Sequence, residues 1–122
     1  LKPNQICKFR GFIKEEEHII NYLTSEFMIL PSLVYEGFGL VIVEAISLGC
    51  IPIVSSKAGG GSEWLSKIIP ELIYDGSIKS LEKAITWTRN QKRTYIVKKL
   101  KNNILKMSPK NVAKIILNFN EK

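Results

Sequence analysis

Cysteine, histidine and long apolar runs are scarce in this chain of 122 residues, which holds two cysteines and one histidine. Cys7 and Cys50 stand far apart and outside any C-x-x-C or metal-ligand spacing, so both are expected as buried free thiols in a reducing setting. No apolar run reaches the roughly 18 to 20 residues needed to span a bilayer, and no secretory signal opens the chain. A transmembrane or exported protein is therefore not expected. Acid is scarce in the last third alone: residues 78–122 carry twelve Lys or Arg against two acids, a balance of +10. Residues 1–77 carry six basic and nine acidic residues, a balance of −3, and the two parts sum to the net charge of +7.

What is present suits one compact domain, since 45% of residues are hydrophobic. Leu1-Lys2-Pro3 opens the chain without an initiator Met, so a piece of something longer is expected. The basic tail suits nucleic acid, anionic lipid or an acidic partner domain, or it is a solvated helix face.

Hydrophobic periodicity alternates between strand and helix. Cys7 to Ile13 reads as a short strand ended by Gly11, and Lys14 to Thr24 as a helix. Ile19, Ile20 and Leu23 form its apolar face, and three glutamates suit its first turn. Phe27-Met28-Ile29-Leu30 and Ile51-Pro52-Ile53-Val54 read as strands buried on both faces. Between them a glycine-rich turn leads into a helix from Leu40 to Leu48 that stops at Gly49. Ser55 to Gly61 is a loop, Ser62 to Leu65 opens a short helix, and Leu72-Ile73-Tyr74 is a fourth strand. Beyond Ser77 three helices follow. Leu81, Ala84, Ile85 and Trp87 mark the first, and Tyr95, Ile96, Leu100, Ile104 and Leu105 the second. Val112, Ile115, Ile116 and Phe119 mark the third, after a break at Met107-Ser108-Pro109. The expected fold is α/β: a Rossmann-like three-layer α/β/α sandwich with a short parallel sheet and a helical C-terminal tail. In such sheets ligands bind beyond the carboxyl ends of the strands, where the glycine-rich turns fall.

Glu44 is the one charge in the apolar helix Leu40 to Leu48, and eight residues earlier Glu36 stands beside Gly37 and Gly39. A carboxylate on a buried helix needs a partner, and a ligand hydroxyl is one. A glycine-flanked turn entering a helix N-terminus is a seat for a phosphate or sugar oxygen. This stretch, from Phe27 through Pro31-Ser32 and Tyr35-Glu36-Gly37-Phe38-Gly39-Leu40 to Glu44-Ala45, resembles the retaining GT-B glycosyltransferases. The resemblance is to glycosyltransferase family 4, through its E-x7-E motif with a glycine-phenylalanine-glycine insert. Phe9-x-Gly11, Gly49 with Pro52, and Gly59-Gly60-x-x-Glu63 follow the family in order, although Gly49 and Pro52 are one residue further apart than usual. The resemblance covers residues 9 to about 76.

That resemblance implies roles for particular residues. Glu36, the catalytic candidate, would meet donor-sugar hydroxyls and stabilise charge at the reacting sugar. The amides of Gly37, Phe38, Gly39 and Leu40 would face sugar and diphosphate, Glu44 would accept from the ribose hydroxyls, and Ile13 would flank the base, with His18 a weaker candidate. Against these stand plainer readings: Glu36 as a solvated loop residue, Glu44 in an ion pair with Lys57 or another base, His18 as a surface residue, Glu63 capping or charging the start of its helix, and Trp64 and Trp87 as core or interface aromatics. The Arg and Lys with which the family clamps the diphosphate have no clear counterpart, since residues 1–8 offer only Lys2 and Lys8. No Asp-x-Asp metal box appears, and neither metal nor cofactor is expected.

Residues 1–122 are thus expected to form a single domain, the nucleotide-sugar-binding C-terminal half of a hexosyltransferase, with the N-terminal acceptor domain absent. It would transfer sugar from a nucleotide-diphosphate sugar with retention, and turn over little in isolation. Its expected partners are the nucleotide-diphosphate sugar and the absent N-terminal domain, with peripheral membrane contact and no nucleic acid. The expected location is the cytoplasm, including the inner face of the membrane. The rival readings are a non-catalytic nucleotide-sugar-binding module and a nucleic-acid- or membrane-binding protein driven by the basic tail.

Overall fold

The computed structural model describes residues 7–34, 37 and 39–107. Its elements in chain order are α1 (Glu15–Thr24), β1 (Phe27–Leu30), α2 (Leu40–Ser47), β2 (Ile51–Ser55), α3 (Gly60–Ser66), β3 (Ile73–Tyr74), α4 (Ile78–Arg89) and α5 (Arg93–Leu105). Single 3-10 turns at Ser56–Ala58 and Pro70–Leu72 lead into α3 and β3. The three strands form one parallel sheet in the order β1-β2-β3, with Leu30 opposite Val54 and Val54 opposite Ile73. The chain is a small Rossmann-like α/β domain.

All five residues of β2 are buried, so both of its faces are covered, as its unbroken apolar run requires. Pro52 sits inside this strand without loss. The Ile51 amide donates to the Glu26 carbonyl on the β1 side, so position 52 turns its nitrogen the other way. There β3 pairs only from Val54 onward, and no ladder bond is forfeited. The main core joins Ile42 and Ile46 of α2, Ile51, Ile53 and Val54 of β2, and Ile96 and Leu100 of α5.

Local signals end the elements where expected. At the C-terminus of α2 the Gly49 amide donates to Ile46 at 3.0 Å and the Cys50 amide to Ala45 at 2.8 Å, the paired bonds of a Schellman motif. Gly49 takes φ +79°, which a side chain resists. Before α4, Ser77 Oγ accepts from the Ser80 amide at 3.1 Å, and Asp75 Oδ1 accepts from the Ser77 amide at 2.8 Å. Those Ser77 contacts hold the Asp75 carboxyl below its ordinary range.

Three expectations are corrected. Residues 7–13 form no strand, and the sheet has three strands. Gly11 at φ +61° leaves the extended region, and no strand lies beyond β1 among the described residues to complete a ladder, so Phe9 and Phe12 are exposed. Cys7 is exposed with this segment, although both cysteines are free and Cys50 is buried as expected. On α1 the periodic trio Ile19, Ile20 and Leu23 faces outward, 42%, 55% and 60% exposed, while Tyr22 is buried. The helix meets the domain through Tyr22 against Ala45 and Cys50, because β1 is an edge strand and nothing described covers the surface beyond it. On α5, Ile96 and Leu100 are buried, but Tyr95 and Leu105 are exposed. The third tail helix, at Val112, Ile115, Ile116 and Phe119, lies outside the described residues.

Candidate functional site

Two connections leave the carboxyl ends of neighbouring strands β1 and β2. The first runs from Leu30 through Gly37 and Gly39 into α2; the second runs from Ser55 through Ser56–Ala58 into α3. They are joined directly, since the Gly61 amide donates to the Gly37 carbonyl at 3.2 Å. Gly37 at φ +67° and Gly39 at φ +83° make the turn sharp enough for α2 to begin at Leu40. Gly39 occupies the N-cap position but has no side chain to cap the opening amides, and its carbonyl accepts from the Ile42 amide at 3.1 Å. The opening amides of a helix have no intrahelical acceptor, so this end of α2 is suited to an anion.

The second connection is built by small polar side chains. Ser55 Oγ accepts from the Lys57 amide at 3.2 Å, and the buried Ser62 hydroxyl donates to the Gly59 carbonyl at 2.7 Å. Lys57 and Glu63 are exposed on it.

Glu44 lies on the second turn of α2 and is half-buried. Its Oε2 accepts a long hydrogen bond, 3.5 Å, from the Tyr22 hydroxyl of α1. Lys57 is not its partner. Burial, and then the Glu44 charge, push the Tyr22 hydroxyl up to about 12, so it stays a donor at neutral pH. Tyr22 also stacks on His18, with ring centroids 5.9 Å apart. Both rings line a cavity of about 200 Å³ with Ile13, Ser25, Phe27 and Cys50. Ser25 precedes β1 and Cys50 precedes β2, so this cavity opens at the amino ends of the strands. Burial raises the Cys50 thiol pKa, opposed by nearby Arg93.

The sequence-derived site residues therefore fall into two groups. Gly37, Gly39 and Leu40 come together at the carboxyl end of the sheet, and Glu44 follows on the same helix. Ile13 and His18 sit with Tyr22 in the cavity at the other end, and Tyr22 bridges to Glu44. Glu36 and Phe38 lie outside the described residues. Trp64 and Trp87 are half-buried against the main core. Among the described residues no group of three or more His, Cys, Asp or Glu side chains could hold a metal ion.

Sequence reasoning passed over Tyr22 and Arg93. Tyr22 interrupts an apolar trio that looked like the packing face, and only its hydroxyl contact to Glu44, 22 residues away, singles it out. Arg93 donates to the carbonyls of Glu26 at 2.9 Å and Gly49 at 2.5 Å, tying together the segments that precede β1 and β2. No local pattern announces such a bond across 44 or 67 residues.

The family model described as Glycosyl transferases group 1 matches residues 1–107 of the chain. Neither a curated protein nor a solved structure matches it.

Proposed function

Because the chain belongs to the group 1 glycosyl transferases, we propose that it is the donor-binding half of a retaining GT-B glycosyltransferase of family 4, taking a nucleotide-diphosphate sugar. The observation that carries this reading is the pairing of the two strand-end connections through Gly61 and Gly37, immediately before the uncapped start of α2. A diphosphate at that start gains from aligned amides and the helix dipole at little reorganisation cost. The amides of Gly37, Phe38, Gly39 and Leu40 face the sugar and the distal phosphate. Glu36 binds sugar hydroxyls and offsets positive charge as the glycosidic bond to the diphosphate breaks.

Glu44 accepts from the ribose hydroxyls. A half-buried carboxylate with, among the described residues, a single long contact to a neutral phenol retains acceptor capacity, which two vicinal hydroxyls would fill. Ile13, in the cavity at the amino ends of the strands, is set apart from the glycine turn and is given no base contact in this reading; the acceptor is supplied by a further N-terminal domain. The protein's part in the chemistry is positioning and electrostatic stabilisation of an oxocarbenium-like transition state and of the departing diphosphate.

A thermal-shift screen of the chain against uridine, guanosine and adenosine diphosphate sugars tests this. One of the three should raise the unfolding midpoint, since a ligand that binds only the folded state stabilises it by mass action. No response to any of them, at concentrations that saturate an intact family member, would remove the donor-binding reading.

A further inference from the structure

α5 has two unlike sides. Ile96 and Leu100 are buried in the main core, 0% and 1% exposed. On the outer side Thr94, Lys98, Lys101 and Leu105 follow one another at spacings of four, three and four, so they form one stripe along the helix. All four are exposed, and Leu105 is 81% exposed at the end of the stripe. Together with Gly49 and Val97 they line a groove of about 530 Å³ between α5 and the end of α2.

The charge around this stripe is of one sign. Residues 83–107 contain eight Lys or Arg and no Asp or Glu. Lys98 and Lys101 are three apart, close enough to repel, and no carboxylate stands within a turn of either on α5. The two nearby arginines are engaged elsewhere: Arg93 by the Glu26 and Gly49 carbonyls, and Arg89 by the Glu26 carboxylate at 3.5 Å. An aliphatic side chain so exposed, beside ammonium groups with no ion-pair partner among the described residues, has no role in the core.

We propose that this stripe seats the domain on a membrane surface bearing anionic lipid headgroups. Lys98 and Lys101 meet the headgroup phosphates, their methylene stems reaching along the helix, and Leu105 enters the acyl boundary. Compact ammonium charges on flexible stems suit a fluid array of phosphates, with no fork geometry to satisfy. Leu105 decides between partners, because an isobutyl group gains from a lipid boundary and gains nothing against the phosphates of a duplex. Among the described residues no helix is long and apolar enough to cross a membrane, and the contact is at the surface.

Co-sedimentation of the chain with vesicles tests the proposal, using phosphatidylcholine alone and phosphatidylcholine mixed with phosphatidylglycerol. The chain should bind the mixed vesicles and not the neutral ones, and should release at high salt. Lys98→Glu with Lys101→Glu should weaken binding by on the order of tenfold or more. Leu105→Ser should weaken it several-fold and leave binding to duplex DNA unchanged. Circular dichroism should show unaltered unfolding midpoints for these exposed substitutions, and Lys98→Gln with Lys101→Gln replaces the double reversal if that variant does not fold. Equal binding to both vesicle types, or unchanged binding by the lysine variants, would overturn the proposal. So would duplex DNA binding tighter than vesicle binding and indifferent to Leu105→Ser, which would assign the stripe to nucleic acid.

Discussion

The Tyr22 hydroxyl of α1 donates to Glu44 Oε2 of α2 across 3.5 Å, joining two helices that are separated by β1 in the chain. At that length the bond is weak, and the carboxylate can turn to a stronger donor when one arrives. Tyr22 thus restrains Glu44 without filling its acceptor capacity.

Glu44→Gln is expected to weaken nucleotide binding by about 1 to 3 kcal/mol, the range for loss of a charged hydrogen-bond partner. Tyr22→Phe, which removes only the hydroxyl, should change affinity by less than about 1 kcal/mol. Isothermal titration of both variants with the nucleoside diphosphate checks this. Unchanged binding by Glu44→Gln would take the ribose away from Glu44.

Glu36 should affect turnover more than binding. In a full-length enzyme containing this domain, Glu36→Ala is expected to lower kcat by on the order of tenfold to a thousandfold, with a modest change in nucleotide affinity. The bare nucleoside diphosphate, lacking the sugar, should bind the variant almost normally. Wild-type turnover would exclude Glu36 from the mechanism, whereas loss of nucleoside diphosphate binding would give it a role in shaping the turn.

Tyr22 also predicts an alkaline limit to stability. Its hydroxyl titrates at about 12 in the folded chain against an ordinary 10.0, chiefly through burial and secondly through the Glu44 charge. Folding therefore holds this proton more tightly than the unfolded chain does. The corresponding stabilisation is complete below pH 10 and is lost as pH rises from 10 to 12. Its size is on the order of 2 kcal/mol, allowing for some solvent screening. Denaturant unfolding across this window should show a steeper fall for wild type than for Tyr22→Phe; parallel curves would contradict the shift.

Arg93 is expected to matter for stability more than its exposure suggests. Removing its fork in Arg93→Ala leaves the Glu26 and Gly49 carbonyls without that donor, at a cost of about 1 to 3 kcal/mol. Arg93→Lys should recover less than half of the loss, because a single ammonium cannot reproduce two divergent bonds. A wild-type urea midpoint for Arg93→Ala would show that the tie carries no net stability.

Local rules determined much of this protein. Strand β1, strand β2 and the short β3 follow from apolar runs bounded by proline and glycine. The end of α2 follows from Gly49, whose left-handed backbone closes the Schellman bonds. The start of α2 at Leu40 and the placement of Gly37 and Gly39 beyond the strand ends were legible for the same reason: turn chemistry acts within a few residues. Tertiary structure alone decided which faces are buried and which distant groups meet. Residues 7–13 have strand-like composition, but a strand exists only with a partner edge. Ile19, Ile20 and Leu23 have core-like spacing, but with β1 at the sheet edge nothing described covers them. Tyr22 with Glu44, Arg93 with Gly49 and Gly61 with Gly37 are contacts between separate elements. Spacing along one element encodes its own periodicity, and such contacts arise only when the sheet has brought its neighbours together.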